Sequence, residues 1–159
     1  MIFVTLGSQK FQFNRLLKEI DRLIECGKIT ESVFAQTGYS NYEPKYYEYK
    51  NFLDRDEFAR LMKSCDKVIT HGGTGAIIGA VKNKKKVIAV PRLVQFEEHV
   101  DNHQIQITTQ FKELGFVESI ERIELLEKAL KNIEDMELKT YISNTQNIIS
   151  SIEGFISKL

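Results

Sequence analysis

The chain carries no surplus of either charge: 22 basic and 22 acidic residues balance over 159 positions, so no global field draws it to nucleic acid or to a membrane surface. No apolar run approaches the length needed to cross a bilayer. The Met1-Ile2-Phe3-Val4 start lacks the charged and small-residue flanks of a signal peptide, so a cytoplasmic protein is expected. There are only two cysteines, Cys26 and Cys65, far apart and near helical patterns, and both are expected to be reduced, buried thiols without chemistry. Internal repeats, low-complexity tracts and linkers are missing too. A chain of this length is therefore expected to form one domain over 1–159.

What remains is an alternation of apolar runs and amphipathic stretches. Strands are predicted at Ile2 to Leu6, Ser32 to Gln36, Tyr47 to Phe52, around Val68, around Val87, and at Gly115 to Val117. Phe13, Leu16, Leu17, Ile20, Leu23 and Ile24 give one apolar helical face, and Asp54 with Glu57 fits a capping box at the start of another helix. Further helices are predicted from Asn102 to Leu114, Ile123 to Asn132 and Thr140 to Leu159. Six strands with intervening helices imply an α/β, Rossmann-like, doubly wound parallel sheet.

Two segments hold the chemistry. Thr70-His71-Gly72-Gly73-Thr74-Gly75-Ala76 lies between apolar runs and reads as strand, glycine-rich turn and helix. A helix start offers unpaired N–H groups and the positive end of the helix dipole, and glycines let phosphate oxygens come close. Pro91-Arg92 and then Glu97 to Gln104 follow the strand Val87 to Val90, and both segments open onto the carboxyl edge of the sheet, where ligands of such folds bind. All three histidines of the chain, His71, His99 and His103, fall in these two segments.

This pattern resembles the donor-binding half of GT-B glycosyltransferases of family 28. The residues that carry the resemblance are His71-Gly72-Gly73-Thr74-Gly75, the strand ending Val90-Pro91-Arg92, and Glu98-His99-Val100-Asp101-Asn102-His103-Gln104. It is most like the small catalytic subunits of two-chain enzymes, the PssE-type subunit of bacterial exopolysaccharide synthesis and its eukaryotic relative, the dolichol-pathway UDP-GlcNAc transferase. The resemblance runs from Phe3 to Gly115-Phe116-Val117. It implies transfer of a hexose, galactose or GlcNAc, from a UDP-sugar to a lipid-linked saccharide in exopolysaccharide or capsule biosynthesis, with no metal and no cofactor beyond the donor substrate. It also implies a membrane-associated PssD-type partner that supplies the acceptor half and recruits this chain to the inner face of the membrane. Gly79 stands where many members carry a glutamate that holds the donor's ribose, a departure that resembles the bacterial polysaccharide branch.

Under this resemblance Gly7 and Ser8 reach toward the donor phosphates, Gly72, Gly73, Thr74 and Gly75 cradle them, and His71 donates a hydrogen bond beside them. Asp101 and Gln104 hold hydroxyls of the transferred sugar, with Arg92, Glu98, His99, Asn102 and His103 completing the substrate site; His71 and Asp101 take the catalytic places. Each residue has a plainer reading: Gly7-Ser8 as a turn, His71 as a structural histidine, Asp101 or Asn102 as a helix cap. The spacing of His99 and His103 also invites zinc with Asp101, but no third strong ligand is evident. Asp54-Arg55-Asp56 imitates the metal-binding DxD of GT-A transferases but is better explained as a helix cap, and Lys82 to Lys86 reads as a solvated basic turn or a contact with anionic lipid. A dinucleotide-dependent oxidoreductase is a rival, because Gly73-Thr74-Gly75 followed by Gly79 nearly makes the dinucleotide fingerprint. The third glycine is one residue late, and no acid follows the next strand. A non-catalytic enhancer of a partner transferase is a third reading. The apolar residues Ile148, Ile149, Ile152, Phe155, Ile156 and Leu159 of the last helix are expected to face the core, or to pack on the partner.

Overall fold

In the computed structural model, which describes residues 1–158, six parallel strands form one sheet in the order β3-β2-β1-β4-β5-β6. The strands are β1 (Ile2–Thr5), β2 (Val33–Gln36), β3 (Glu48–Lys50), β4 (Lys67–His71), β5 (Lys86–Val90) and β6 (Glu118–Ser119). The helices are α1 (Asn14–Glu25), α2 (Arg55–Ser64), α3 (Thr74–Lys82), α4 (His103–Glu113), α5 (Leu126–Asp135) and α6 (Thr145–Ile156). β1 is central, pairing Val4 with Ala35 on one side and with Ile69 on the other. The strand order reverses there, which makes the β1/β4 boundary the topological switch point of the sheet.

The pleat sends alternate residues to opposite faces, and each face has its own core. Ile2, Val4, Ile69 and Ile88 pack with Leu16, Leu17, Ile20 and Leu23 of α1 and with Ala129 and Ile133 of α5. Phe3, Val68, Val87 and Ala89 pack with Met62 of α2 and Ile77, Ala80 and Val81 of α3. Continuous apolar strands such as Val87 to Val90 are what a sheet covered on both faces requires.

Several local features depart from the sequence-based expectations. The last strand begins at Glu118, because Gly115 adopts a left-handed φ of +81° and closes α4 with paired bonds, Gly115 N–H to Lys112 O and Phe116 N–H to Phe111 O. Residues 115 and 116 therefore terminate a helix and cannot start the strand. Asp54 caps α2 by accepting from Glu57 N–H at 2.8 Å, but Glu57 pairs with Lys50 instead of reaching back, so half of the capping box is formed. Cys65 is buried as expected, whereas Cys26 ends α1 exposed. In the basic turn Lys85 donates to the carbonyls of Lys63 and Cys65, and Lys86 to that of Glu134. That turn leads into β5 and so lies at the opposite end of the strands from the glycine turn.

The largest departure is α6. It is shorter than predicted, and none of its residues is buried: Ile148, Ile149, Ile152, Phe155 and Ile156 are all exposed. Its apolar face does not join the core. The chain is tied to the domain as far as Tyr141, which packs on Phe116 at 6.2 Å, and leaves it afterwards. Leu159 lies outside the described residues. No helix among the described residues is long and apolar enough to cross a membrane.

Candidate functional site

β4 ends at His71 and delivers Gly72 and Gly73 to the start of α3, at the carboxyl edge beside the end of β1. Gly73 is the cap of α3, and the first bond of that helix runs from Ile77 N–H to Gly73 O. The amides of Gly73, Thr74, Gly75 and Ala76 are therefore left without helical partners, and Thr74 and Gly75 are exposed. The amide of Gly72 is not free, because it donates to Gln104 Oε1 at 3.1 Å. Such a cradle accepts an anion through N–H groups and the helix dipole together. It is one residue further along the chain than the sequence suggests.

His71 lies under this turn, 7% exposed, wedged between two glycines. A Cβ on Gly7 would come within 2.7 Å of the ring's Cε1, and one on Gly73 would press on Nε2 more closely still. Both positions therefore need glycine. Gly7 has a second reason, since its φ is +71°. Burial, followed by the nearby Arg92 charge, pushes the imidazole down to about 4, so it is neutral near pH 7. Thr70 Oγ1 donates to Thr5 O at 2.9 Å and so can only accept from His71 Nδ1, 3.4 Å away. With the proton on Nδ1 this contact is satisfied and Nε2 is an acceptor; with the proton on Nε2 that atom is a donor, as the sequence suggested.

The second segment divides into a buried and an exposed half. Arg92 has no exposed surface; its Nη2 donates to Leu6 O at 2.9 Å and Phe11 O at 3.3 Å, while Nε and Nη1 find no partner among the described residues. Burial lowers its pKa to about 10, against the opposing pull of Glu98. Glu98 is equally enclosed, held by Nε and Nη2 of Arg15, each at 2.9 Å, and by Leu93 N–H at 3.0 Å. Arg92 and Glu98 thus brace the loops and present no side-chain group to a ligand in this conformation, which differs from the substrate-contact role expected of them. Gln104 is 3% exposed, and its Oε1 accepts from both Gly72 and Arg92 N–H. Its amide nitrogen makes no hydrogen bond among the described residues.

The exposed half consists of Asp101, Asn102 and His103, with half-buried His99 beside them. Asp101 Oδ1 accepts from His103 N–H at 3.0 Å and contacts Nδ1 of both His103 and His99. Hydrogen bonding from His103 holds its carboxyl below the usual range, so it is an anion near pH 7. Asn102 accepts from Val94 N–H at 3.0 Å and so supports the loop. Ser8 is exposed at the β1 end. Gly79 faces open space, so the fold itself does not require glycine there.

Sequence reasoning missed Arg15, Thr70, Phe11 and Ala76. Arg15 is paired with Glu98 across 83 residues, and Phe11 stacks on His99 at 4.8 Å. No local pattern connects either pair; the amide of Ala76 was legible from the helix start. The acids of Asp54-Arg55-Asp56 are at the start of α2, with Asp54 engaged as its cap.

Comparisons with known proteins agree with this geometry. Residues 1–159 match the glycosyltransferase family 28 C-terminal domain. No curated protein matches the sequence. Among solved structures, the glycotransferase of kitacinnamycin is similar with a TM-score of 0.63 and 16% identity, covering 84% of this chain and 34% of its own. The glycosyltransferase SnogD from Streptomyces nogalater gives 0.60 and 19%, with the same coverage of both chains. The solution structure of ALG13 gives 0.58 and 20%, covering 89% of each chain. This chain therefore spans about a third of the length of the first two, and nearly all of the third.

Proposed function

Because this chain belongs to glycosyltransferase family 28 through its C-terminal domain, we propose that it is the donor-binding subunit of a two-chain transferase that moves a hexose from a UDP-sugar. The observation that carries this reading is the set of amides from Gly73 to Ala76 left without helical partners at the switch point, with Gln104 of the Asp101–Gln104 segment bonded to the same turn at Gly72. In this reading the diphosphate rests on those amides and on the dipole of α3, which stabilise the charge on the departing nucleoside diphosphate without a metal or cofactor. Asp101 and the free amide of Gln104 hold the sugar hydroxyls. His71 shapes the turn from below and offers Nε2 to a hydrogen bond.

A donor site is one wall of a reaction centre. Catalysis also needs the acceptor hydroxyl held against the donor and deprotonated, and such positioning supplies much of the rate. The likeness to two-chain members of the family carries the proposal of an acceptor-binding partner, a membrane-associated PssD-type subunit; ALG13, matched over 89% of each chain, is of comparable extent. The exposed apolar residues of α6, Phe155 above all, form its docking face, and the donor is UDP-galactose or UDP-GlcNAc. The acceptor is a lipid-linked saccharide in exopolysaccharide or capsule synthesis, at the cytoplasmic face of the membrane.

The test is a thermal-shift series with UDP, UDP-sugars and NAD. UDP should raise the midpoint by mass action and NAD should not. Gly75→Val places a branched side chain over the cradle where its Cβ meets no protein atom, so it should abolish the UDP shift in a folded chain. Stabilisation by NAD alone would replace this reading with the oxidoreductase. UDP binding with no transfer, even beside the partner, would leave an enhancer subunit.

A further inference from the structure

His99, Asp101 and His103 are arranged as a metal-binding trio. One ligand atom from each residue lies within 4.8 Å of the others; both Nδ1 atoms face the same Asp101 Oδ1, that of His99 at 3.3 Å, and the Asp101 N–H that His99 Nδ1 now accepts at 3.4 Å is a contact that an ion at these three atoms would replace. Ligands about 2.1 Å from a tetrahedral ion are separated by about 3.4 Å, so small side-chain adjustments would seat an ion between these three atoms. The carboxylate is Asp101, which the sequence already set beside the two histidines; the structure brings its oxygen to both rings.

The trio is partly organised in advance. The His99 side chain is 8% exposed and its ring is stacked on Phe11, while Asp101 is fixed by the His103 amide. Asp101 and His103 are about half exposed, which leaves the ion a path from solvent and a coordination position for water. Two imidazoles and one carboxylate suit a borderline ion such as zinc or cobalt, and suit magnesium or manganese poorly.

We propose that His99, Asp101 and His103 bind one zinc-class divalent ion, and that this ion inhibits sugar-nucleotide binding instead of assisting transfer. Coordination removes Asp101 from the sugar and places an ion in its approach. The inhibitory half of the proposal rests on the donor-site reading above; the metal-binding half does not.

The experiment titrates the untagged, full-length chain with cobalt, followed by visible absorbance, and with zinc, followed by calorimetry. One ion should bind per chain. Asp101→Asn and His103→Ala, both at exposed positions, should each weaken binding by more than about tenfold, since even the outer-shell partners of metal ligands carry losses of that size. Cys26→Ser, which removes the exposed thiol, should leave it unchanged. Failure of cobalt and zinc to saturate at one ion, or binding indifferent to both site variants, overturns the proposal. Zinc should also erase the extra thermal shift of a UDP-sugar over UDP, and chelator should restore it; an unchanged shift with zinc bound overturns inhibition. A chain that binds cobalt but never UDP would refute the donor-site reading and leave the metal site standing, and the reverse result would do the opposite.

Discussion

Replacing Gly73 with alanine tests the wedge that shapes the anion cradle. The backbone itself does not object, since Gly73 has φ −78° and ψ 123°, which any residue adopts. On that ground alone the substitution should stabilise by about 0.4–1 kcal/mol through the unfolded chain. The obstacle is His71. The new Cβ would lie 3.0 Å from both Cδ2 and Cε1 and closer still to Nε2, and the ring cannot retreat because Gly7 closes the other side. Overpacking a rigid buried group costs about 1–3 kcal/mol, which outweighs the entropic gain. Urea unfolding of the wild type, Gly73→Ala, His71→Ala and the double variant separates the two effects. Gly73→Ala should destabilise the wild type but become neutral or stabilising once His71 is alanine, with a coupling of about 1–3 kcal/mol. If Gly73→Ala costs the same in both backgrounds, His71 is not what keeps the position glycine.

Acid should weaken the fold through His71. Its folded pKa of about 4 lies below its ordinary 6.5, so its contribution is complete above pH 6.5 and is lost as pH falls toward 4. The loss reaches about 2 kcal/mol by pH 5. His71→Gln should lose correspondingly less stability between pH 7 and 5 in urea melts, and equal losses would contradict the buried neutral ring. Arg15→Ala should destabilise by about 3–5 kcal/mol, because it strands the enclosed Glu98 carboxylate. Adding Glu98→Gln should recover part of that in the same melts, and no recovery would mean that Arg15 acts through packing.

The parallel sheet and the glycine turn were legible because they depend on local order: apolar run, glycines, apolar run. The division of the second segment was not. Glu98 and Asp101 are both acids in one short stretch, yet one is enclosed and one is exposed, and the difference is Arg15 on α1, 83 residues away. Arg92 likewise reads as a cation beside a phosphate site, but its guanidinium turns inward to the carbonyls of Leu6 and Phe11. For α6 the apolar spacing was correctly seen, but periodicity says that a helix has a sticky face, not what covers it.

The carbonyl of Gln104 ties three elements together: the β4 turn through Gly72, the end of β5 through Arg92, and the first turn of α4 from which the side chain comes. Asp101 and His103 flank that same turn. A force that rotates the start of α4 is therefore transmitted through one amide to the residue preceding the free N–H groups of α3. Any coupling that this amide carries between ligand groups at Asp101–His103 and at the cradle is reciprocal, each changing the affinity for the other by the same factor. A ligand that spanned both would be held more tightly, or less tightly, than its two halves measured separately predict, and that difference would measure how far the Gln104 bridge links the two segments.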